Sequence, residues 1–161
     1  MVSIIDYGMG NLASVQKALN FLNLSNIITK DHSIIRSARA IILPGVGSFP
    51  QAMKNLSDAG LVELLTEEVV GKEKKLLGIC LGMQLLATTG NEHEVCSGLG
   101  WIEGKIIKID AHGRRIPHLG WNEIMYNDDI FFKDLPDNNF YFIHSYHFVP
   151  EYEENIVARV C

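Results

Sequence analysis

Three short apolar runs, each ending at a glycine turn, constrain the fold of this chain more than any other feature. Residues 2–6 lead into Gly8 and Gly10, residues 40–43 lead into Pro44-Gly45-Val46-Gly47, and residues 76–79 lead into Cys80-Leu81-Gly82. Such runs, bounded by turn residues, are typical of buried strands in a parallel sheet. The turns should therefore meet at one edge of that sheet, where sites form in folds of this kind.

Helical patterns separate these strands. Asn11 can cap a helix whose apolar face carries Leu12, Val15, Leu19 and Leu22. A second strand is predicted at 26–29, and further helices at 52–56, 61–70 and 81–88. Beyond Gly90 the pattern changes, and strands are predicted at 102–110, 122–125, 140–144 and 156–160. We predict an α/β fold over residues 1–161: a single three-layer domain with a mostly parallel central sheet, helices on both faces and mixed strands in the C-terminal half.

Composition narrows the class of protein. The 161 residues suit one domain, and the net charge of −5 argues against nucleic acid or an anionic membrane as a partner. The pair Arg114-Arg115 is too small to form a basic patch. The N-terminus lacks a signal peptide, and no apolar run is long enough to cross a membrane. Three cysteines without regular spacing indicate neither a disulfide framework nor a metal site, so we expect a cytoplasmic protein without a metal or cofactor.

The segment Gly78-Ile79-Cys80-Leu81-Gly82 has the form of a nucleophile elbow between a strand and a helix. Glycines on both sides allow a strained turn that projects the thiol, and the following helix N-terminus favours a thiolate. The backbone N–H of Leu81 would then face the oxyanion formed on attack. The alternative is a buried structural cysteine, which is how we interpret Cys96 and Cys161.

A second oxyanion donor is expected from the loop at residues 44–49. Its glycines let the backbone approach a ligand closely and turn N–H groups toward it. The alternative is a plain strand-to-helix turn. The pairing of this loop with the elbow favours the functional interpretation.

The N-terminal turn matches a different motif. Gly8, Gly10 and Ala13 follow a strand and open a helix, and Asp31 stands where a ribose-binding acid would be. Asp6-Tyr7, inserted between the strand and the first glycine, weakens this nucleotide-binding hypothesis. A tight turn that packs a helix on the sheet is the alternative.

Several blocks, taken together, resemble a known family. Their sequences are Asp-Tyr-Gly-Met-Gly-Asn-Leu at 6–12, Leu-Pro-Gly-Val-Gly-Ser-Phe at 43–49, the elbow at 77–86, Pro-His-Leu-Gly-Trp-Asn at 117–122 and Tyr-Phe-Ile-His-Ser-Tyr at 141–146. The chain resembles the glutaminase subunits of imidazole glycerol phosphate synthase, which are class I, triad-type glutamine amidotransferases. The blocks span nearly the whole chain in the family's order.

The resemblance implies that glutamine is hydrolysed to glutamate and ammonia through a Cys80 thioester, without a cofactor. Oxyanion donors would lie near Val46 and Leu81. The implied contacts to glutamine are Gly45, Gly47, Gln84, Glu92, His144, Ser145 and Tyr146. Ammonia would pass to a cyclase-type (β/α)8-barrel synthase in a heterodimer, faced by Asn11, Trp121 and Asn122, most simply in histidine biosynthesis. A related subfamily, which the same motifs fit, supplies ammonia to sugar-modifying synthases for surface polysaccharides.

One element of the family pattern is absent. The family carries its catalytic base in a His-Pro-Glu block, and none of the six histidines here is followed two residues later by a carboxylate. His93 and His112 are expected at the surface, and His118 in the interface block. His144 and His147 follow Cys80 in the order that a triad requires.

We expect either a C-terminally incomplete family member, whose sheet would keep an exposed edge, or a variant without the standard base. A catalytically inactive subunit that only binds a partner is the remaining alternative.

Overall fold

The structure, a computed structural model, describes residues 1–110, 113, 115–126, 132 and 135–160. The predictions made above for His112, Arg114 and Cys161 concern residues outside this set. The strands are β1 Val2–Ile5, β2 Asn26–Thr29, β3 Ala40–Gly45, β4 Lys75–Cys80, β5 Ala87–Glu92, β6 Glu94–Ser97, β7 Ile102–Lys108, β8 His118–Tyr126, β9 Asn139–His144, β10 Tyr146–Pro150 and β11 Ala158–Val160. The helices are α1 Leu12–Phe21, α2 His32–Ser37, α3 Phe49–Asp58, α4 Leu61–Thr66 and α5 Leu81–Gln84, and α4 continues into a π-helical turn, Glu67–Gly71.

The N-terminal half forms the predicted parallel sheet. Its strand order is β2-β1-β3-β4, and every neighbouring pair runs parallel. Because the strands are parallel, their carboxyl ends all reach one edge of the sheet. At that edge Gly45 of β3 stands directly beside Cys80 of β4.

Successive side chains of a strand point to opposite faces of the sheet, so the hydrophobic core is divided into two clusters, one on each face. Ile4 and Ile42 pack with Leu19 of α1 on one face. Ile5 and Ile41 belong to the larger cluster on the other face, with side chains from α2, α3, α4 and α5. Helices therefore cover both faces, and the predicted α/β class is confirmed.

Two helices begin at side-chain caps. The amide oxygen of Asn11 accepts a hydrogen bond from the Ser14 N–H at 3.3 Å, which is the predicted cap of α1. Asp31 caps α2 by accepting from the N–H groups of Ser33 and Ile34, at 2.8 and 3.1 Å. Helix α2 was not predicted from the sequence, since its six residues make fewer than two turns.

The C-terminal half adds the expected mixed strands in two further sheets. One is ordered β10-β7-β5-β6, with β5 and β7 parallel and the other pairs antiparallel. The other is an antiparallel sheet ordered β11-β8-β9. At Ser145, between β9 and β10, the chain leaves the three-stranded β11-β8-β9 sheet and enters the β10-β7-β5-β6 sheet.

The predicted helix at 81–88 is wrong in its extent. Helix α5 ends at Gln84, and β5 begins at Ala87. The carbonyls of Leu85 and Leu86 accept hydrogen bonds from the N–H groups of Leu99 and Trp101 instead of continuing a helix. Pairing with a distant segment therefore prevails over the local apolar pattern.

No helix within the described ranges is both long and apolar enough to span a membrane.

Candidate functional site

Cys80 lies at the strand-to-helix turn that the sequence indicates. It ends β4, precedes α5 and has φ 54° and ψ −118°, a conformation that is strained for any residue with a side chain. The side chain is exposed and its thiol is free. Because α5 has only four residues, less of a helix dipole acts on the sulfur than a helix over 81–88 would supply.

The glycines of the elbow are required by close packing. A β-carbon on Gly82 would stand 1.8 Å from the carbonyl oxygen of Leu43, and one on Gly78 would stand 2.6 Å from the Cα of Met83. Both distances are far inside van der Waals contact. Any larger residue at either position would therefore push α5 away from the strands and move Cys80.

The loop that follows β3 lies against the elbow. A β-carbon on Gly45 would come within 2.7 Å of the Gly82 nitrogen and 2.9 Å of the Leu81 Cβ. Gly47 has φ +99°, which a glycine adopts without strain. Val46 between them is 53% exposed, while the Leu81 side chain is buried. The two segments predicted to supply oxyanion donors are thus in contact.

Tyr7 is a buried residue of this site that sequence reasoning did not select. Its hydroxyl donates a hydrogen bond to the Pro44 carbonyl at 2.8 Å, and it lies 2.7 Å from the position of a Gly45 β-carbon. Burial, and then the proximity of Cys80, raise the pKa of Tyr7 well above its usual range, so the phenol stays protonated. The available signal was the position of Tyr7 at the carboxyl end of β1.

Glu92 is placed behind the same loop. One of its carboxylate oxygens accepts a hydrogen bond from the Phe49 N–H at 2.7 Å, at the start of α3. The N-cap residue Ser48 makes no side-chain capping bond, so the Glu92 carboxylate takes that role. The predicted substrate contact is therefore also a structural anchor of the loop at 44–48.

Gln84, at the end of α5, reaches the corner between β9 and β10. Its Nε2 donates to the Tyr146 carbonyl at 3.1 Å, and Nδ1 of His144 lies 2.9 Å from the same oxygen. Ser145 lies between His144 and Tyr146 in the sequence, and its carbonyl accepts a hydrogen bond from the Ile109 N–H. Four of the predicted glutamine contacts are therefore neighbours in space.

The three predicted partner residues lie in two different elements, α1 and β8. Asn11 is occupied as the cap of α1. Trp121 and Asn122 are consecutive in β8 and so point to opposite faces of the strand. Trp121 is 70% exposed and packs edge-on against Tyr141, whereas Asn122 bonds to His118 on the other face.

The nucleotide-binding hypothesis receives no support from the geometry. Oδ1 of Asp31 caps α2 and also accepts from the Ser33 hydroxyl at 2.5 Å, and these bonds lower its pKa. A plain turn that packs α1 on the sheet accounts for Gly8 and Gly10, whose φ values are +84° and +145°.

In the described part of the chain, no histidine hydrogen-bonds to the Cys80 thiol, and no three His, Cys, Asp or Glu side chains are grouped to hold a metal ion. His93 lies in the β5–β6 turn and is exposed. Cys96 is half-buried, and burial, followed by the nearby Glu94 carboxylate, raises the pKa of its thiol, which disfavours the reactive thiolate there.

A parallel α/β sheet that presents a cysteine elbow beside a glycine loop is the arrangement expected of class I glutamine amidotransferases. The chain belongs to that family: the family model "Glutamine amidotransferase class-I" matches residues 3–160.

Among similar proteins is "Imidazole glycerol phosphate synthase subunit HisH 1" of Campylobacter jejuni, which is 45% identical over 150 residues, 91% of this chain and 75% of that protein. The subunit HisH of Moorella thermoacetica is 45% identical over 159 residues, 98% of this chain and 75% of its own length.

Solved structures share the fold at lower sequence identity. A structure described as a glutamine amidotransferase aligns with a TM-score of 0.76 at 20% identity, over 98% of this chain and 79% of that one. PurLQS from Thermotoga maritima aligns with a TM-score of 0.64 at 19% identity, over 99% of this chain and 73% of that one. At these identities the likeness extends to the fold alone.

Proposed function

We propose that this chain is the glutamine-hydrolysing subunit of an imidazole glycerol phosphate synthase, with Cys80 as the nucleophile. The observation that carries the proposal is the strained, exposed Cys80 held directly beside Gly45 at the carboxyl edge of the parallel sheet. Relatives bearing that subunit's name are about 45% identical over most of the chain.

In the proposed reaction, the Cys80 thiolate attacks the side-chain amide carbon of glutamine. The C–N bond then breaks, ammonia leaves with an added proton, and a thioester remains on the sulfur. Water hydrolyses the thioester to glutamate and regenerates the thiol. N–H groups at Leu81 and near Val46 stabilise the oxyanion of both steps, because the loop and the elbow are packed together.

Glutamine is held by the corner that surrounds Gln84. We assign its polar groups to the backbone of Gly45 and Gly47 and to the side chains or backbone of Gln84, Glu92, His144, Ser145 and Tyr146. The hydrogen bonds that already join Gln84, His144 and Tyr146 support this assignment, since they preorganise one wall of the pocket.

Turnover needs a general base to accept the thiol proton and to activate water. No histidine in the described part of the chain hydrogen-bonds to the Cys80 thiol. We expect residues 1–161 alone to react at Cys80 with little or no turnover. The same observation favours a second candidate, a subunit that binds its partner without chemistry.

The partner is proposed to be a cyclase-type (β/α)8-barrel synthase, which receives the ammonia in a cytoplasmic heterodimer. One face of the β8–β9 pair supports an interface, because its exposed apolar side chains lie together through strand pairing. They are Leu119, Trp121, Tyr141 and Ile143. Contiguous exposed apolar surface of this kind is typical of protein interaction sites.

The deciding experiment is affinity labelling with 6-diazo-5-oxo-L-norleucine, an electrophilic glutamine analogue, followed by peptide mass spectrometry. We expect saturable labelling of Cys80 that glutamine suppresses, and no labelling in Cys80→Ala. Cys96→Ala is the matched control and should label like the parent. A Cys80 that reacts without saturation, or without protection by glutamine, would favour the non-catalytic subunit.

The partner is tested by mixing the chain with the barrel subunit of imidazole glycerol phosphate synthase or with a sugar-modifying synthase. Complex formation is measured by analytical ultracentrifugation. Binding to the sugar-modifying synthase alone would overturn the assignment to histidine biosynthesis.

A further inference from the structure

A chain of hydrogen bonds joins the β8 strand to the proposed glutamine pocket. Register pairs His118 of β8 with His144 of β9, and Nδ1 of His118 lies 2.9 Å from Nε2 of His144. At one end, Nε2 of His118 lies 2.9 Å from Nδ2 of Asn122. At the other end, Nδ1 of His144 lies 2.9 Å from the Tyr146 carbonyl, which also accepts from Gln84.

The Tyr146 carbonyl, at one end of this chain, determines which atom donates and which accepts in each hydrogen bond. The Tyr146 oxygen can only accept, so the proton of a neutral His144 must be on Nδ1. Its Nε2 then accepts, so His118 must donate from Nδ1. The Nε2 of His118 is left as an acceptor, which requires the NH2 group of Asn122 to face it. Every donor in the chain thus meets one acceptor.

The surroundings of His118 favour the neutral ring that this arrangement needs. Its imidazole stacks on Phe142, with centroids 5.0 Å apart and an interplanar angle of 26°. Burial, and then the proximity of His144, lower the pKa of His118. The ring is therefore held in place and uncharged near neutral pH.

We infer that His118 is a positioning residue: by donating to Nε2 of His144, it stabilises the Nδ1–H tautomer that bonds to the Tyr146 carbonyl, and so holds that carbonyl and the Gln84 amide in the orientation that receives glutamine. The inference rests on the proposed function and adds to it. Asn122, at the far end, sits in β8 next to Trp121, so the same bonds connect the glutamine pocket to the strand that carries the proposed interface.

The test compares His118→Leu, which removes the donor, with His118→Asn, whose Nδ2 occupies the place of the histidine Nδ1. His32→Leu, at the exposed start of α2, is the control for loss of a histidine. Long-range 15N–1H spectra of histidine-labelled protein report the tautomer of each ring. We expect mainly the Nδ1–H form of His144 in the parent and in His118→Asn, and a larger share of the Nε2–H form in His118→Leu.

The second readout is labelling of Cys80. The saturation constant for 6-diazo-5-oxo-L-norleucine should rise about fivefold in His118→Leu and return to within about twofold in His118→Asn. The rate with iodoacetamide, which needs no pocket, should not change. An unchanged His144 tautomer or an unchanged saturation constant in His118→Leu would overturn the inference.

A failure of the proposed function would give a different result from a failure of the inference about His118. If the parent itself shows no saturable labelling while the His144 tautomer still depends on His118, the glutamine pocket is wrong and the control of the His144 tautomer by His118 is supported.

Discussion

The carbonyl oxygen of Leu43 lies 1.8 Å from the point where a β-carbon on Gly82 would stand. The backbone of α5 therefore packs directly on the backbone of β3, and no side-chain atom fits between them at Gly82. The position of the Cys80 sulfur is therefore set by contact between two backbones rather than by its own side-chain preferences. A strained φ of 54° at Cys80 persists because the surrounding backbone leaves it no alternative.

Gly82→Ala should lower the free energy of unfolding by about 2 kcal/mol or more, because the methyl group meets backbone that cannot rotate away. Urea denaturation measures the loss. Gly71→Ala is the matched control, since nothing lies within 4 Å of its added carbon, and it should leave stability unchanged or slightly higher. Equal losses in the two variants would mean that contact with Leu43 does not fix the elbow.

Tyr7→Phe tests the support of the glycine loop. The change removes the hydrogen bond from Tyr7 to the Pro44 carbonyl, which costs about 1 kcal/mol of stability. Because Pro44 precedes Gly45, the loop should also loosen, and labelling of Cys80 by the glutamine analogue should need a higher concentration.

Tyr126→Phe is the comparison, because this tyrosine lies in β8 outside the proposed pocket and keeps the ring that stacks on Phe132. That variant should label like the parent. Parent-like labelling of Tyr7→Phe would separate Tyr7 from the site.

Much of the fold followed from local pattern. The parallel strands, the cap of α1 and the turn at Cys80 each depend on residues close together in the sequence, and the structure places them as predicted. The end of α5 did not follow, because the bonds from Leu85 and Leu86 go to residues 99 and 101. Hydrogen bonding to residues distant in the sequence cannot be predicted from the pattern of a single apolar run.

Some residues of the candidate site can likewise be found from local motifs, and others only from contacts between distant residues. Cys80 and the glycine loop lie at motifs that can be found in the sequence, whereas Tyr7 and His118 act through contacts with residues 37 and 26 positions away. The prediction of Asn11, Trp121 and Asn122 as partner residues stays a prediction, but the structure separates two of them. Trp121 and Asn122 are adjacent in the sequence, but consecutive residues of a strand face opposite sides.

Trp121→Ala should weaken binding of the barrel synthase by about tenfold or more, since a large exposed aromatic ring is a frequent hot spot of interfaces. Isothermal titration calorimetry with the isolated partner measures the affinity. Phe21→Ala is the control: this ring is 87% exposed but ends α1, about 15 Å along the helix from Asn11. If Phe21→Ala weakens binding as much as Trp121→Ala, the β8–β9 face is not the interface.

Glu68 gives the clearest prediction about pH. Its carboxylate is only 1% exposed and lies 2.7 Å from Nζ of Lys72, 2.5 Å from Nζ of Lys74 and 3.3 Å from Arg36. Hydrogen bonds from Lys72 and then Lys74 lower the pKa of Glu68 to about 2. Because the folded state binds this proton less tightly than the unfolded state, the charged group stabilises the fold above pH 4.5, its ordinary pKa.

Glu68→Gln should therefore cost about 2 kcal/mol of unfolding free energy at pH 7, allowing for the exposure of two of the three cations. The difference between variant and parent should shrink as the pH falls from about 4.5 toward 2, where the parent loses the same charge. Glu67→Gln is the matched control. Glu67 also pairs with Arg36 and Lys72, but it is 46% exposed, so its loss should cost clearly less than the loss of Glu68. Urea denaturation at pH 7, 5, 4 and 3 measures both, and a cost for Glu68→Gln that stays constant across this range would rule out the charge as its cause.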